Sequence, residues 1–394
     1  MRPPLTINAG SWKVNTSMPL NVLVIPDKFK GTLTARAAAT AIAHGWRRAR
    51  PADTAFVLPM TDGGDGFGEV MSGLLGAKPV KTLAIDAAHR PIVARWWWAP
   101  KTKTAIVETA GVVGLAKLPS KKFHPFQLDT LGLGAVLQAA AERGARHCLL
   151  GLGGSATNDG GFGFARACGW QFLDDKDKKI LQWTDLGRLA RIRAPRRRHW
   201  FKSVSAAVDV QNPLLGPRGA ARIYGPQKGL RSNDFALAER CLRRLARVVQ
   251  DQYGGKLARV PGAGAAGGLG FGLQAFLGAQ LEPGFDLFAR EAGIERRLRW
   301  ADLVITGEGW IDESTLMGKG AGQIARRCRH SNIPCIGLAG GTAGSASVRI
   351  PFSKVCVLTE LTTRAQAEAR SSFWLERLAA KVAAEWVEER FSKS

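Results

Sequence analysis

A series of short turns carries side chains that could grip an anion and move a proton. Pro26-Asp27-Lys28-Phe29-Lys30-Gly31-Thr32 sets an acid and two lysines after an apolar run, and Thr61-Asp62-Gly63-Gly64-Asp65-Gly66 flanks a glycine pair with carboxylates. Gly151-Leu152-Gly153-Gly154-Ser155-Ala156-Thr157-Asn158-Asp159-Gly160-Gly161 strings glycines together with hydroxyl, amide and carboxylate oxygens. Asp209-Val210-Gln211-Asn212, Tyr224-Gly225-Pro226-Gln227-Lys228-Gly229 and the glycine loop Pro261–Gly268 follow. The last is Thr306-Gly307-Glu308-Gly309-Trp310-Ile311-Asp312, with Gly318-Lys319-Gly320 just after. Glycine lets backbone N–H groups approach a ligand closely, lysine neutralises anionic oxygens, and a carboxylate can accept a hydroxyl proton or hold Mg²⁺. Taken singly, each is also an ordinary surface turn. Together they suit phosphate chemistry on a small molecule.

Turns of this kind need strands to aim them. Leu20 to Ile25 is a continuous apolar run, the pattern of a strand buried on both faces, and from Thr34 an Ala-rich helix is expected to about Arg50. The same strand-turn-helix grammar is expected at Arg146–Leu152 with a helix over Phe162–Cys168, and strands at Ala301–Thr306, Ile333–Ala339 and Lys354–Thr359. Helical pattern fills 323–330 and 364–387. This alternation predicts an α/β fold with a mostly parallel sheet, whose ligands bind beyond the carboxyl ends of the strands. With 394 residues, two domains are expected. The breaks fall at 85/86 and 284/285, giving one discontinuous domain of 18–85 and 285–394 and an inserted domain of 86–284. Residues 1–17 read as a disordered extension.

Several chemistries are excluded. No segment reads GxxxxGK[ST], HExxH or Gly-x-Ser-x-Gly, and protein-kinase motifs are absent. The six cysteines show no CxxC spacing and read as packing thiols of a reducing compartment. No apolar run is long enough to span a membrane, so a cytoplasmic protein without a membrane partner is expected. Lys and Arg number 56 against 32 acids, a net charge of +24, but the excess is spread over helix faces apart from a run at Arg191–His199. Attraction of anionic substrates is the preferred reading over nucleic acid. Two alternatives stay open: a polyanion-binding protein without catalysis, and a nicotinamide oxidoreductase, since 151–156 matches GxGxxA with Asp174 and Asp175 about 20 residues beyond, as a ribose-binding acid would be.

The turns in this order resemble the type I glycerate kinase family. The most specific segments are PDKFKGTLTA (26–35), GLGGSATNDGGFG (151–163), DVQNPLLG (209–216), GPQKG (225–229), GAGAAGGLG (262–270) and TGEGWID (306–312), and the match runs from Met18 to the C-terminal helix. The resemblance implies two α/β domains, a Rossmann-like one built from both chain ends and an inserted one, with the active site in the cleft. It also implies D-glycerate as substrate, ATP with Mg²⁺ as donor, and 2-phosphoglycerate as product; a related sugar acid and a homodimer stay open. On this reading Lys28, Lys30, Lys228 and Lys319 hold phosphates or the substrate carboxylate, Lys30 close to the chemistry. Asp62 or Asp209 is the general base, Asp159, Glu308 and Asp312 are metal ligands, and the N–H groups of Gly153, Gly154 and Ser155 cradle phosphate. The chain departs from the family pattern at TDGGDG (61–66), where Ala first and Glu in place of Asp65 are more common, at Trp310 where Arg is common, and at Ser314 where Gln is common.

Overall fold

The computed structural model describes residues 18–120, 122–197, 199–316, 320–343 and 351–391. The extension 1–17 and Lys319 lie outside them. The strands are β1 (Asn21–Val24), β2 (Thr54–Val57), β3 (Lys78–Ile85), β4 (Pro91–Ala99), β5 (Thr104–Glu108), β6 (His147–Leu152), β7 (Gln171–Leu173), β8 (Arg191–Arg193), β9 (Ser203–Val208), β10 (Gln280–Pro283), β11 (Leu303–Ile311), β12 (Cys335–Thr342) and β13 (Lys354–Val357). They fall into two compact units, the described part of Met1–Thr61 with Ala292–Ser394, and Asp62–Glu291.

The first unit carries a wholly parallel sheet in the order β13-β12-β11-β1-β2. Successive residues Val22, Leu23 and Val24 are all fully buried, as the apolar run requires of a central strand with both faces covered. The helix Ala35–Ala49 starts where Thr34 accepts a hydrogen bond from the Ala37 N–H at 3.1 Å, and Arg47 and Arg48 close its last turn. Its Ala38, Ile42 and Trp46 enter one core with Val22, Ile305 and Ile336 of the sheet and Leu375, Leu378 and Val382 of the C-terminal helix. The two helices approach closely at Gly45, where a Cβ would stand 2.0 Å from the Glu376 carbonyl oxygen. The helical pattern expected over 364–387 is two helices, Arg364–Ala369 and Ser371–Phe391.

The second unit has a six-stranded sheet, β10-β9-β6-β5-β4-β3, in which β10, β9, β6 and β5 run parallel and β4 and β3 form an antiparallel edge. The Trp96-Trp97-Trp98 run lies in β4. Trp96 is fully buried, its indole N–H donating to Thr82 Oγ1 at 2.9 Å. The breaks between units fall at 61/62 and 291/292 instead of 85/86 and 284/285. The reason is that β3 pairs with β4 along its whole length, and the helix Phe67–Leu75 packs on β4, Gly68 lying against the Trp97 ring; the segment 62–85 thus belongs with the sheet it borders. No helix among the described residues is long and apolar enough to cross a membrane.

Candidate active site

In the second unit the parallel strands end together, and the predicted turns gather there. Leu152 of β6 pairs with Val208 of β9, so Gly153 and Asp209 leave the sheet as neighbours one strand spacing apart, about 4.8 Å. Asp209 is exposed, and Gly154 is exposed in a left-handed conformation at φ +61°. The loop beyond is pinned by backbone bonds, Leu115 N–H to the Gly154 carbonyl and Ala156 N–H to the Val113 carbonyl, both 2.8 Å. The N–H groups of Gly154 and Ser155 donate to no acceptor among the described residues.

The turn after Thr61 lies against the same strand ends. A Cβ on Gly153 would be 3.0 Å from Gly64 Cα, one on Gly154 would be 3.1 Å from Asp65 Oδ1, and one on Gly284 would overlap the Asp62 carbonyl at 1.9 Å. At Gly284 only glycine admits this contact. Asp62 is half-buried and accepts the Gly64 N–H at 3.0 Å, while Asp65 is exposed. Glu108, the last residue of β5, accepts the Gly66 and Gly68 N–H groups at 3.1 Å each, and burial pushes its carboxyl up, with the nearby charges of Asp65 and Glu69 adding to the rise. Asp65 was read from sequence only as one of the carboxylates flanking the glycine pair, and Glu108 was not singled out. Glu108 ends an apolar run, the signal that located the other turns.

Asp209 has a polar neighbourhood. The Tyr224 hydroxyl donates to Asn212 Oδ1 at 2.5 Å, and Asn212 Nδ2 donates to the Arg218 carbonyl at 2.8 Å. Burial, helped by the charge of Asp209, pushes the Tyr224 phenol up to about 12.

Two predicted ligands, Lys228 and Asp159, are buried among protein partners. Lys228 is buried, and its Nζ donates to Ser155 Oγ at 3.1 Å and to the Thr157 carbonyl at 2.8 Å. Desolvation pushes its ammonium down to about 7, against an upward pull from Asp159. Asp159 is fully buried. Its carboxylate accepts from Thr130 N–H (3.0 Å), Thr130 Oγ1 (2.7 Å), Gly163 N–H (2.8 Å) and Gly161 N–H (3.3 Å), which anchors the start of the helix Phe162–Ala167. Burial and the charge of Asp129 push its carboxyl up to about 6. Next to it, the Thr157 hydroxyl and both polar atoms of the Asn158 amide are buried without a partner among the described residues.

The dinucleotide reading of 151–156 fails here on geometry. The helix begins only at Phe162, behind Gly161 at its N-cap, and the Asp174 carboxylate is taken by the Lys176 and Lys178 N–H groups at 3.0 and 2.9 Å in the turn directly after β7. The loop Pro261–Gly268 opens no ordinary helix either, since Ala266, Gly267 and Gly268 hold positive φ inside Ala265–Leu277.

The first unit holds a second cluster. Asp27 and Glu308 are both buried, and the Asp27 N–H donates to the Gly307 carbonyl at 2.8 Å, setting Asp27, just past β1, beside the part of β11 that carries Glu308. Thr306–Ile311 was expected to turn after Thr306, yet it continues β11, pairing through Ile311 with β12; Glu308 therefore projects from a strand. Lys28 is half-buried and Lys30 exposed, and the chain at Lys30 passes close to Gly309, where a Cβ would lie 3.0 Å from the Lys30 nitrogen. Asp312 accepts from the Ser314 N–H at 2.8 Å and from the Ser314 hydroxyl, so the unusual Ser314 caps this acid. Trp310 is partly exposed, and the Arg364 guanidinium carbon lies 5.3 Å from its ring centroid, a cation beside the position where the family pattern has one. Among the described residues no three His, Cys, Asp or Glu side chains group to hold a metal.

The family model described as the glycerate kinase family matches residues 22–387. The chain belongs to the glycerate kinase family. It is 38% identical to a glycerate kinase of Halalkalibacterium halodurans over 327 residues, covering 82% of this chain and 86% of that one. Against the glycerate 2-kinase of Escherichia coli the identity is 33% over 338 residues, 84% and 87% of the two chains. A crystal structure of a protein from Salmonella typhimurium LT2 superposes with a TM-score of 0.84 at 32% identity, covering 94% of this chain and 99% of that one. This glycerate kinase is thus an enzyme with a mixed α/β fold, and the oxidoreductase alternative is set aside.

Proposed function

We propose that the chain transfers the γ-phosphoryl group of ATP to a hydroxyl of D-glycerate, yielding 2-phosphoglycerate. The observation that carries this reading is the register of β6 and β9, which brings Gly153, at the head of the loop that carries the Gly154 and Ser155 N–H donors, one strand from the exposed Asp209. Phosphoryl transfer needs an anion cradle and a proton acceptor side by side, and little covalent chemistry from the protein.

In this assignment the N–H groups of Gly153, Gly154 and Ser155 receive phosphate oxygens. Asp209 takes the hydroxyl proton as the glycerate oxygen attacks in line; Asp62, with one oxygen already accepting the Gly64 N–H, is the second candidate. Lys28 and Lys30 are assigned to the anionic groups of the substrates. Mg²⁺ is commonly held by one or two carboxylates together with substrate phosphates, and the buried acids Asp27, just past β1, and Glu308, within β11, would supply such a pair, with Asp312 following in the same chain segment. When bound, Mg²⁺ would neutralise charge on the phosphate oxygens.

Incubation with D-glycerate and Mg²⁺-ATP should release ADP and a phosphomonoester whose ³¹P signal couples to a single methine proton. Coupling to a methylene pair instead would show 3-phosphoglycerate and overturn the regiochemistry. No ADP across a panel of sugar acids would refute the reading.

A further inference from the structure

We propose that Lys228 is a positioning residue that holds the Gly153–Ser155 cradle from behind and fixes Ser155 as a hydrogen-bond donor toward a phosphate oxygen, without touching substrate itself. The inference rests on the proposed function.

An ammonium group has hydrogens to give and no lone pair to receive one. While Lys228 carries its proton, the serine oxygen is therefore the acceptor in the 3.1 Å contact between Lys228 Nζ and Ser155 Oγ. The serine's own hydrogen is left to donate elsewhere. Because the second Lys228 bond goes to the Thr157 carbonyl at 2.8 Å, the side chain spans the segment Ser155–Thr157 and ties both ends to one point. The other edge of the loop is already held by the Leu115 and Ala156 backbone bonds. The cradle is clamped on two sides, and Gly154 remains exposed between them.

The residue type points the same way. Burying a charge for packing alone costs more than burying a methionine of similar length. A cation beneath a loop whose N–H groups point to an anion adds to the same positive field, and the buried Asp159, four residues beyond Ser155, compensates it when the site is empty of anions. Lys228 is delivered by the turn Pro226–Lys228, which ends at Gly229 with φ +102°, a conformation that glycine adopts without strain.

The test uses the full chain and its Lys228→Met, Lys228→Gln and Ser155→Ala variants, with steady-state kinetics and calorimetric titration of Mg²⁺-ATP. Lys228→Met should raise the KM and Kd for ATP by about tenfold or more, the usual effect of losing a hydrogen bond to a charged group, with the KM for glycerate within about twofold. Lys228→Gln, which can donate to both oxygens, should recover part of the loss. In a Ser155→Ala background Lys228→Met should cost only about threefold or less, because the Ser155 bond is then already gone and only the Thr157 bond is left to lose. An unchanged ATP Kd in folded Lys228→Met, or equal factors in both backgrounds, overturns the proposal. If Lys228→Met fails to fold, Lys228→Gln in the two backgrounds decides by the same comparison. Absence of glycerate turnover by the unaltered chain refutes the function instead, and the ATP titrations still judge Lys228.

Discussion

Asp159 separates a structural acid from a metal ligand, and its replacement distinguishes the two. Changing Asp159 to Ala strips the acceptor from two buried main-chain donors, Thr130 N–H and Gly163 N–H, and from the Thr130 hydroxyl, which can rotate, and the long Gly161 contact. Each orphaned buried amide costs about 1–3 kcal/mol, so the loss should be on the order of 2–6 kcal/mol, a large share of a stability that is typically about 5–15. Asp159→Asn keeps one oxygen for both amides and should lose no more than about 1 kcal/mol. The pH dependence follows from the same burial. The carboxyl is pushed up to about 6 in the folded chain, so the native state holds a proton that the unfolded chain has released. Stability from this group is therefore gained as pH falls from 6 towards 4, by on the order of 3 kcal/mol, and is absent above pH 6. Urea unfolding followed by far-ultraviolet circular dichroism at pH 7, 6 and 5 measures both quantities, with Mg²⁺ titrated against activity in parallel. Equal midpoints for Asp159→Ala and the unaltered chain, or an Asp159→Asn enzyme whose only defect is a weakened response to Mg²⁺, would refute the structural assignment.

Asp209→Asn should lower kcat by about 10²–10⁴ with substrate KM values little changed, as expected for loss of a general base, and full activity would move that role to Asp62. Gly45→Ala places a Cβ 2.0 Å from the Glu376 carbonyl oxygen, so despite a helix propensity gain of about 1 kcal/mol a net loss on the order of 1–2 kcal/mol is expected in thermal unfolding, with kcat per folded molecule unaltered; a higher melting temperature would show that the two helices separate freely.

Local rules made much of this protein readable in the chain itself. Apolar runs located β1, β6, β11, β12 and β13 because a buried parallel strand needs no alternation, and Thr34 announced its helix because a hydroxyl there satisfies an orphan N–H. The glycine-rich turn after β6 marked Gly153 and Gly154, and a glycine pair marked Asp62, since the backbone freedom of glycine and the end of a strand are both written locally; Asp209 was marked by its place in the order of turns. The order of those turns was enough to indicate the family.

Tertiary structure decided what each polar side chain does. Asp159 and Lys228 read in sequence like Asp209, an acid or lysine in a glycine-bearing turn, yet the fold seals the first two among donors and acceptors supplied from distant segments and leaves the third exposed. Asp27 and Glu308 become neighbours only because β1 and β11 pair across 281 residues, as the Thr306 hydroxyl bond to the Ile25 carbonyl records. The segment 62–85 joins the second unit through strand pairing with β4, which no local pattern specifies. Residue type fixes what a side chain can do, whereas burial and long-range hydrogen bonds select which of those capacities is used.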